Sequence, residues 1–282
     1  MSSSPKFALC ADDFALSPAV TRGILEALAA GRLTATSAMT TQANWPDAAR
    51  AFRALAPDAD LGLHFNLTLD GPLGAMPSFA RGGTFPSMNA IVPVAWRGAL
   101  PRQEIRDELR RQLDAFDEAF GTPPDYVDGH QHVHVLPGIA DDLIAELSAR
   151  GLAGKAWLRD SADRPKRMFS RGRHWGKALT VAALARGFRA KARAAGFTLN
   201  DGFSGFSDFD AKADYCADFT SFLRAPGARP LIMCHPGHID DELARLDPVT
   251  DSREAELAFL LSDRFTEILD AAGAKLARLS QM

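Results

Sequence analysis

An α/β chain whose alternating units close into a (β/α) barrel, regular or deformed, is the architecture this sequence predicts. Three observations carry it. Short apolar, β-rich runs alternate with longer helical patterns, which suits βα units around a parallel sheet better than a sandwich or a bundle. Six or seven such units fit along 282 residues, of which 46% are hydrophobic and 24% charged, enough chain for a sizeable core. Polar clusters stand where predicted strands end, and barrels build their sites there.

The units follow in order. Residues 6 to 11 read as a buried strand; Ser17 caps the next helix with Pro18 in its first turn, Val20, Ile24 and Leu28 line its apolar face, and Gly31 stops it. Residues 34 to 39 form a second strand, Pro46 opens a helix reaching about residue 56, and residues 61 to 67 form a third strand. Residues 71 to 100, rich in Gly, Pro and Met and without periodicity, predict a long surface excursion of the kind that often serves as a binding lid. A helix over 101 to 120, a strand over 126 to 129, a helix opened by Pro137 and closed by Gly151, and a strand over 155 to 158 ending at Arg159 come next. Beyond an interruption, residues 230 to 234 read as a strand ending in His235, 253 to 261 and 265 to 272 as helices, and 275 to 279 as a last strand. The expectation is a single domain over 1–282, with a basic, partly helical insertion at about 160–200.

Composition excludes several classes. Lys plus Arg total 32 against 35 Asp plus Glu, a formal net charge of −3, so neither a basic nucleic-acid coat nor an acidic disordered chain fits, and no nucleic-acid partner is expected. Cys10, Cys216 and Cys234 are odd in number, scattered and outside any CxxC pair, which argues against a disulfide framework or a cysteine zinc site and suits a reducing compartment. The first fourteen residues hold one Lys and a short apolar run that meets two carboxylates, neither a secretory leader nor a membrane span, so the expected location is cytoplasmic. The insertion is the exception in charge: residues 159 to 193 hold eleven Lys or Arg against only Asp160 and Asp163. Within it, Val181, Leu184, Phe188 and Ala192 share one helical face and Arg186, Arg189 and Arg193 another. That pattern fits a helix packed on the barrel with a solvated basic face, or peripheral attachment to an anionic membrane.

The chemistry-bearing residues are concentrated. Four clusters occur at strand ends: Asp12-Asp13, His64 with Asn66, Asp128-Gly-His130-Gln-His132-Val-His134, and His235-Pro-Gly-His238. Six of the seven His fall in the last three, with only His174 outside. Imidazole and carboxylate together suit a divalent ion such as Zn, Co, Ni, Mn or Fe, and three protein ligands would leave positions open for water and substrate. Each cluster also has a plainer reading. Adjacent Asp residues serve as helix caps, although Ser17 already fills that role; His64 in an apolar run fits a hydrogen-bonded core histidine; His235 before Pro-Gly can simply end a strand. On a strand, period-two spacing points His130, His132 and His134 the same way, whereas a turn into a loop makes them diverge. Their joint occurrence favours function.

The segments Ala11-Asp12-Asp13-Phe14, Gly62-Leu-His64-Phe-Asn66-Leu-Thr68, Asp128-Gly-His130-Gln-His132-Val-His134-Val-Leu-Pro137 and Met233-Cys-His235-Pro-Gly237 resemble, in order and over most of the chain, the YdjC-like carbohydrate deacetylases, the family of chitooligosaccharide deacetylase. The resemblance implies a deformed (β/α) barrel of the polysaccharide-deacetylase type and a metal-dependent hydrolase removing the acetyl group from an N-acetylated amino sugar. It implies Asp13, His64 and His130 as ligands of one divalent ion, Zn, Mg, Co, Ni or Mn. Ala15 departs from the Gly that usually follows Asp-Asp-Phe, which removes no ligand. The C-terminal half, with the stretch from Asn200, Leu246-Asp-Pro-Val and the basic insertion, is similar to the branch associated with hopanoid biosynthesis. That implies an N-acetylglucosaminyl hopanoid as substrate and contact with the inner membrane face through the basic segment; soluble chito-oligosaccharides are the alternative.

Amide hydrolysis needs an activated nucleophile, stabilisation of the oxyanion and a proton for the amine. On this reading Asp12 takes the proton from water, His235 is the general acid, Arg159 orients Asp12, and Asn66, His132 and His134 bind sugar hydroxyls or orient ligands. A phosphoester hydrolase, which more often uses two metals and several carboxylates, and a non-catalytic glycan-binding protein are the rival classes.

Overall fold

The computed structural model describes residues 5 to 282; the first four residues of the N-terminal stretch discussed above lie outside the described residues. Among the described residues nine strands form, β1 (Lys6–Phe14), β2 (Ala35–Ala38), β3 (Asp60–Phe65), β4 (Tyr126–Gly129), β5 (Trp157–Leu158), β6 (Thr198–Leu199), β7 (Phe203–Ser204), β8 (Leu231–Cys234) and β9 (Lys275–Leu276). The helices are α1 (Pro18–Ala29), α2 (Trp45–Leu55), α3 (Met88–Trp96), α4 (Arg102–Phe120), α5 (Ile139–Ala149), α6 (Pro165–Arg171), α7 (Trp175–Leu184), α8 (Phe188–Ala194), α9 (Tyr215–Phe222), α10 (Asp241–Leu246), α11 (Asp251–Leu261) and α12 (Asp263–Ala272). The strands run in the order β6-β5-β4-β3-β2-β1-β8-β7, every ladder parallel, with β9 pairing the start of β1. A seam separates β6 from β7 at the two ends of this order, and the antiparallel bridge Asp201–Arg229 joins the β6–β7 connection to the segment just before β8. This is the expected deformed barrel, with α6, α7 and α8 as the basic helical insertion between β5 and β6.

The strand interiors are filled by a second, smaller core. Tyr126 and Trp157 stack at 3.9 Å with their planes 7° apart, among Ala8, Cys10, Ala35, Phe203 and Leu231. Gly62 makes room for that stack, since a Cβ there would stand 2.4 Å from the Tyr126 ring. The larger core lies between the strands and the surrounding helices. In α1, Ser17 Oγ accepts from the Val20 amide at 3.2 Å and Pro18 occupies the first turn, as the sequence predicts.

Three expectations are corrected. Residues 71–100 are not a structureless lid: they contain α3, bury Met76, Phe79, Phe85 and Ile91, and are tied to α4 through Glu104 and Glu108, and none of them lines the cavity described below. The amphipathic pattern over 181–193 is not one helix, because α7 ends at Leu184 and α8 starts after Gly187, whose φ is 87°. Its apolar residues Phe188 and Ala192 are buried, with Phe188 edge-on to His134. Finally, the charge of residues 159–193 is largely answered by carboxylates: seven of the eleven cations are paired, Arg159, Arg167, Arg171, Arg173, Lys177, Arg189 and Lys191.

Candidate metal centre and active site

Asp12 and Asp13 are consecutive, so a regular strand would send them to opposite faces. The β1–β2 register instead shifts between Ala11 and Phe14, and Asp13 takes φ 67°. The bulge re-aims the pair, and both carboxylates end in the same buried site. Ala15 then adopts φ 73°, the left-handed conformation that glycine enters at least cost.

His64 comes from β3 and His130 from the residue after β4. Asp13 Oδ1 lies 3.1 Å from His130 Nδ1 and 3.4 Å from His64 Nε2. One donor atom from each of the three lies within 4.8 Å of the others, and all three residues are buried. This set of two imidazoles and one carboxylate fits a divalent ion. His64 Nδ1 is held at 2.6 Å by Asp128 Oδ1, which fixes the ring so that Nε2 faces the cluster. Burial pushes His64 down, but the Asp128 carboxylate outweighs it and drives the imidazole up to about 10, so a cation at Nε2 would displace a proton.

A second group, Cys10, Asp12 and Asp128, has similar spacing, but a cation already fills it. Arg159 Nη2 lies 2.5 Å from Asp12 Oδ1, 2.6 Å from Asp128 Oδ2 and 3.1 Å from Cys10 Sγ, and Nη1 donates to Asp12 Oδ2 at 2.6 Å. Burial pushes the Asp12 carboxyl up; Arg159 overcomes it and holds the group well below the usual carboxylate range. Among the described residues, one donor cluster for a metal and one occupied by guanidinium do not make the two-metal site of many phosphoester hydrolases.

His235, following β8, places Nε2 3.9 Å from Asp12 Oδ2, its amide donates to Glu256 Oε2 at 2.6 Å, and its ring meets Phe209 edge-on. The triplet diverges, because Gln131 and His132 take φ 51° and 62° in the turn after β4. His130 joins the cluster, and His132 lines the cavity with Ser161 Oγ 3.2 Å from its Nδ1. Burial and the neighbouring Arg159 push His132 well below the ordinary histidine value, so it is neutral. His134 turns away from the cavity: its Nε2–H donates to the Arg159 carbonyl at 2.9 Å, and burial lowers it to about 4. Asn66 is also corrected as a sugar-binding residue. It is fully buried, its Oδ1 accepts from the Thr68 and Leu69 amides, and its Nδ2 donates to Thr41 and the Leu69 carbonyl, so it shapes the turn after β3.

Asp12, Asp13, His64, His130, His132 and His235 share the floor of a cavity of about 660 Å³. Its walls are apolar, with Leu69, Phe206, Phe209, Met233 and Val249, and α7 contributes Gly176, Lys177, Thr180 and Val181. Sequence reasoning missed Arg253 in α11, which lines the same cavity and donates to Asp13 Oδ2 at 2.7 Å. Only the fold joins residues 240 positions apart, and an arginine in a helical pattern carries no local sign of it. Asp128 had a visible sign, its place in the histidine cluster at a strand end.

A family model described as YdjC-like protein matches residues 6–271. Chitooligosaccharide deacetylase of Enterobacter sp. (strain 638) is 40% identical over 140 residues, 50% of this chain and 54% of that protein. The protein of the same name from Proteus mirabilis (strain HI4320) is 40% identical over 138 residues, 49% of this chain and 53% of its own. The chain thus spans about half the length of the curated relatives it matches. In fold it is similar to a crystal structure of an Enterococcus faecalis V583 protein named for cellobiose-phosphate cleavage, with TM-score 0.76 and 22% identity over 99% of both chains. An uncharacterized protein from Agrobacterium tumefaciens C58 shares the fold at TM-score 0.58 and 11% identity, covering 99% of this chain and 89% of the other.

Proposed function

The chain belongs to the YdjC-like protein family, and from that premise we propose that it is a metal-dependent hydrolase removing the acetyl group from an N-acetylated amino sugar. The observation that carries the reading is the convergence of Asp13, His64 and His130 beside the Arg159-held Asp12 and His235 on one cavity floor. A divalent cation held by Asp13, His64 and His130 would supply Lewis acidity to the acetyl carbonyl and to the attacking water. Asp12, kept ionised by Arg159, accepts the proton as water adds to the carbonyl carbon. His235 donates a proton to the amine nitrogen as the C–N bond breaks, giving acetate and the free amino sugar. The neutral His132 offers a hydrogen bond to a sugar hydroxyl.

The finer reading is a lipid-linked substrate, an N-acetylglucosaminyl hopanoid, handled at the cytoplasmic face of a membrane. Its support is the apolar wall above the polar floor, partly built by the insertion. On the same insertion, Phe169 and Trp175 stand 53% and 47% exposed with ring centroids 5.4 Å apart. These aromatics, rather than the buried Phe188 face, are the residues suited to meet a bilayer. Among the described residues no helix is long and apolar enough to cross a membrane, so contact would be peripheral.

The test is acetate release, with and without chelator, from N-acetylglucosamine, chito-oligosaccharides and an N-acetylglucosaminyl hopanoid in detergent. Chelator-sensitive release from the hopanoid alone supports the finer reading, release from chito-oligosaccharides keeps the deacetylase and removes the lipid, and no release from any overturns both.

A further inference from the structure

The two oxygens of Asp13 have different neighbours. Oδ1 faces His130 and His64, whereas Oδ2 accepts from Arg253 Nη2 at 2.7 Å. Arg253 is 1% exposed and does not act alone: Nη2 also reaches Asp247 Oδ2 at 2.7 Å, and Nε donates to the Val249 carbonyl at 3.0 Å. Asp247, Pro248 and Val249 line the cavity. One guanidinium therefore ties the bulged end of β1 to the segment that walls the mouth of the site.

We propose that Arg253 is the positioning residue of the metal centre, holding Asp13 to a single inward oxygen and coupling the ion's retention to the 247–249 wall. The inference rests on the ligand set proposed above. Its chemistry is that of a carboxylate shared between two cations. With Oδ2 engaged by Arg253, Asp13 would have Oδ1 alone to offer the ion, held in the orientation that faces His130 and His64. Asp247 in turn answers the Arg253 charge, so the buried array of two carboxylates and one guanidinium is not left with an unpaired cation on the cavity side.

The experiment titrates Co²⁺ into the metal-free full-length protein and its variants against a chromophoric chelator, and records the visible absorption of the bound ion. Arg253→Met is expected to weaken Co²⁺ binding about ten- to a hundred-fold and to change the shape of the cobalt band, because Asp13 is free to turn both oxygens inward. Arg253→Lys restores part of the affinity, since an ammonium reaches Asp13 but cannot also span Asp247 and Val249. Asp247→Asn, which leaves the arginine in place, is expected to weaken binding less than Arg253→Met while shifting the band in the same direction. Circular dichroism of the metal-free variants separates these effects from loss of fold, and Asp247→Asn is the measure that remains if Arg253→Met does not fold. Binding by Arg253→Met within two-fold of the unaltered protein, with an unchanged band, overturns the proposal. So does an Asp247→Asn protein with unaltered affinity and spectrum. Asp13→Ala distinguishes the two levels: if it too binds Co²⁺ as the unaltered protein does, the ligand set itself is wrong; if it alone loses the ion, only the role of Arg253 falls. With N-acetylglucosamine at saturating Co²⁺, the loss in Arg253→Met is expected in kcat with KM unchanged; a rise in KM alone would instead make Arg253 a substrate contact.

Discussion

Arg159 and Asp12 meet in a two-bond pair, Nη1 to Oδ2 at 2.6 Å and Nη2 to Oδ1 at 2.5 Å, with both side chains withdrawn from solvent. A carboxylate so held stays ionised but is a weak base. It can take a proton only from a water made unusually acidic, which is what a neighbouring divalent ion does. On the proposed mechanism, the pair and an ion held by Asp13, His64 and His130 are complementary halves of one device.

Asp12→Asn should leave metal content unchanged, because Asp12 contacts Arg159 rather than the donor cluster, and should lower acetate release by about a thousand-fold. Elemental analysis and turnover measured together check both halves. Loss of the ion in this variant would exchange the roles of Asp12 and Asp13. Arg159→Met should instead cost about 3–5 kcal/mol of stability, since it strands two buried carboxylates. The sign with pH follows from the depressed Asp12 value: the pair stabilises the fold above the ordinary carboxylate range and loses that contribution as pH falls toward the folded-state value. Melting of Asp12→Asn should accordingly depend less steeply on acid than melting of the unaltered protein.

Metal binding should strengthen with rising pH. Without an ion, burial lowers His64 and Asp128 raises it further, to about 10, so Nε2 must release a proton to accept a cation. Calorimetry at pH 8 in buffers of different ionisation enthalpy should report about one proton released per ion bound, and His64→Ala should abolish both binding and release. The metal-free protein carries the opposite trend: the His64 contribution is full below the unfolded histidine value and is lost as pH rises toward 10. Its melting temperature should fall over that interval, and a rise would reverse the assignment of Asp128 as the partner of His64.

Gly62→Ala should destabilise the protein by about 1–3 kcal/mol. The added Cβ would stand 2.4–2.5 Å from three atoms of the Tyr126 ring, which cannot retreat because Trp157 is stacked on its other side. Tyr126 Oη lies 2.9 Å from Cys10 Sγ, and Cys10 touches Arg159, so displacement of the ring is transmitted upward to the Asp12 pair. Urea unfolding measures the first effect, and turnover at saturating metal measures the second.

What could be read from the chain depended on length and contrast. β1, β3, β4 and β8 are apolar runs ending in polar clusters, and the expected and observed strands coincide closely. β6 and β7 have two residues each, too short for any periodic signal, and they are defined only by their neighbours. α3 escaped because Pro93 interrupts its pattern. At the site, residue types at strand ends marked the clusters that hold Asp12, Asp13, His64, His130 and His235, whereas the choice of Asp13, His64 and His130 as ligands was implied by the resemblance. Orientation was not legible. A strand reading cannot contain the bulge at Asp12-Asp13, nor the two left-handed residues that separate His130 from His132 and His134. Asn66 looked available because its strand ends in the site, yet its amide is consumed by the turn it organises.

β1 pairs β2 through Cys10, Ala11 and Phe14, β8 through Ala8 to Ala11 and β9 through Lys6 and Phe7, and it carries Asp12 and Asp13 in the register shift between Ala11 and Phe14. Its ladder amides are expected to exchange among the slowest, and those of the two-residue strands β6 and β7 faster, through local openings. The carboxylates of Asp12 and Asp13 thus stand on the strand with the most neighbours in the sheet, whereas the cavity wall from α7 belongs to the insertion, where a local opening would leave them in place.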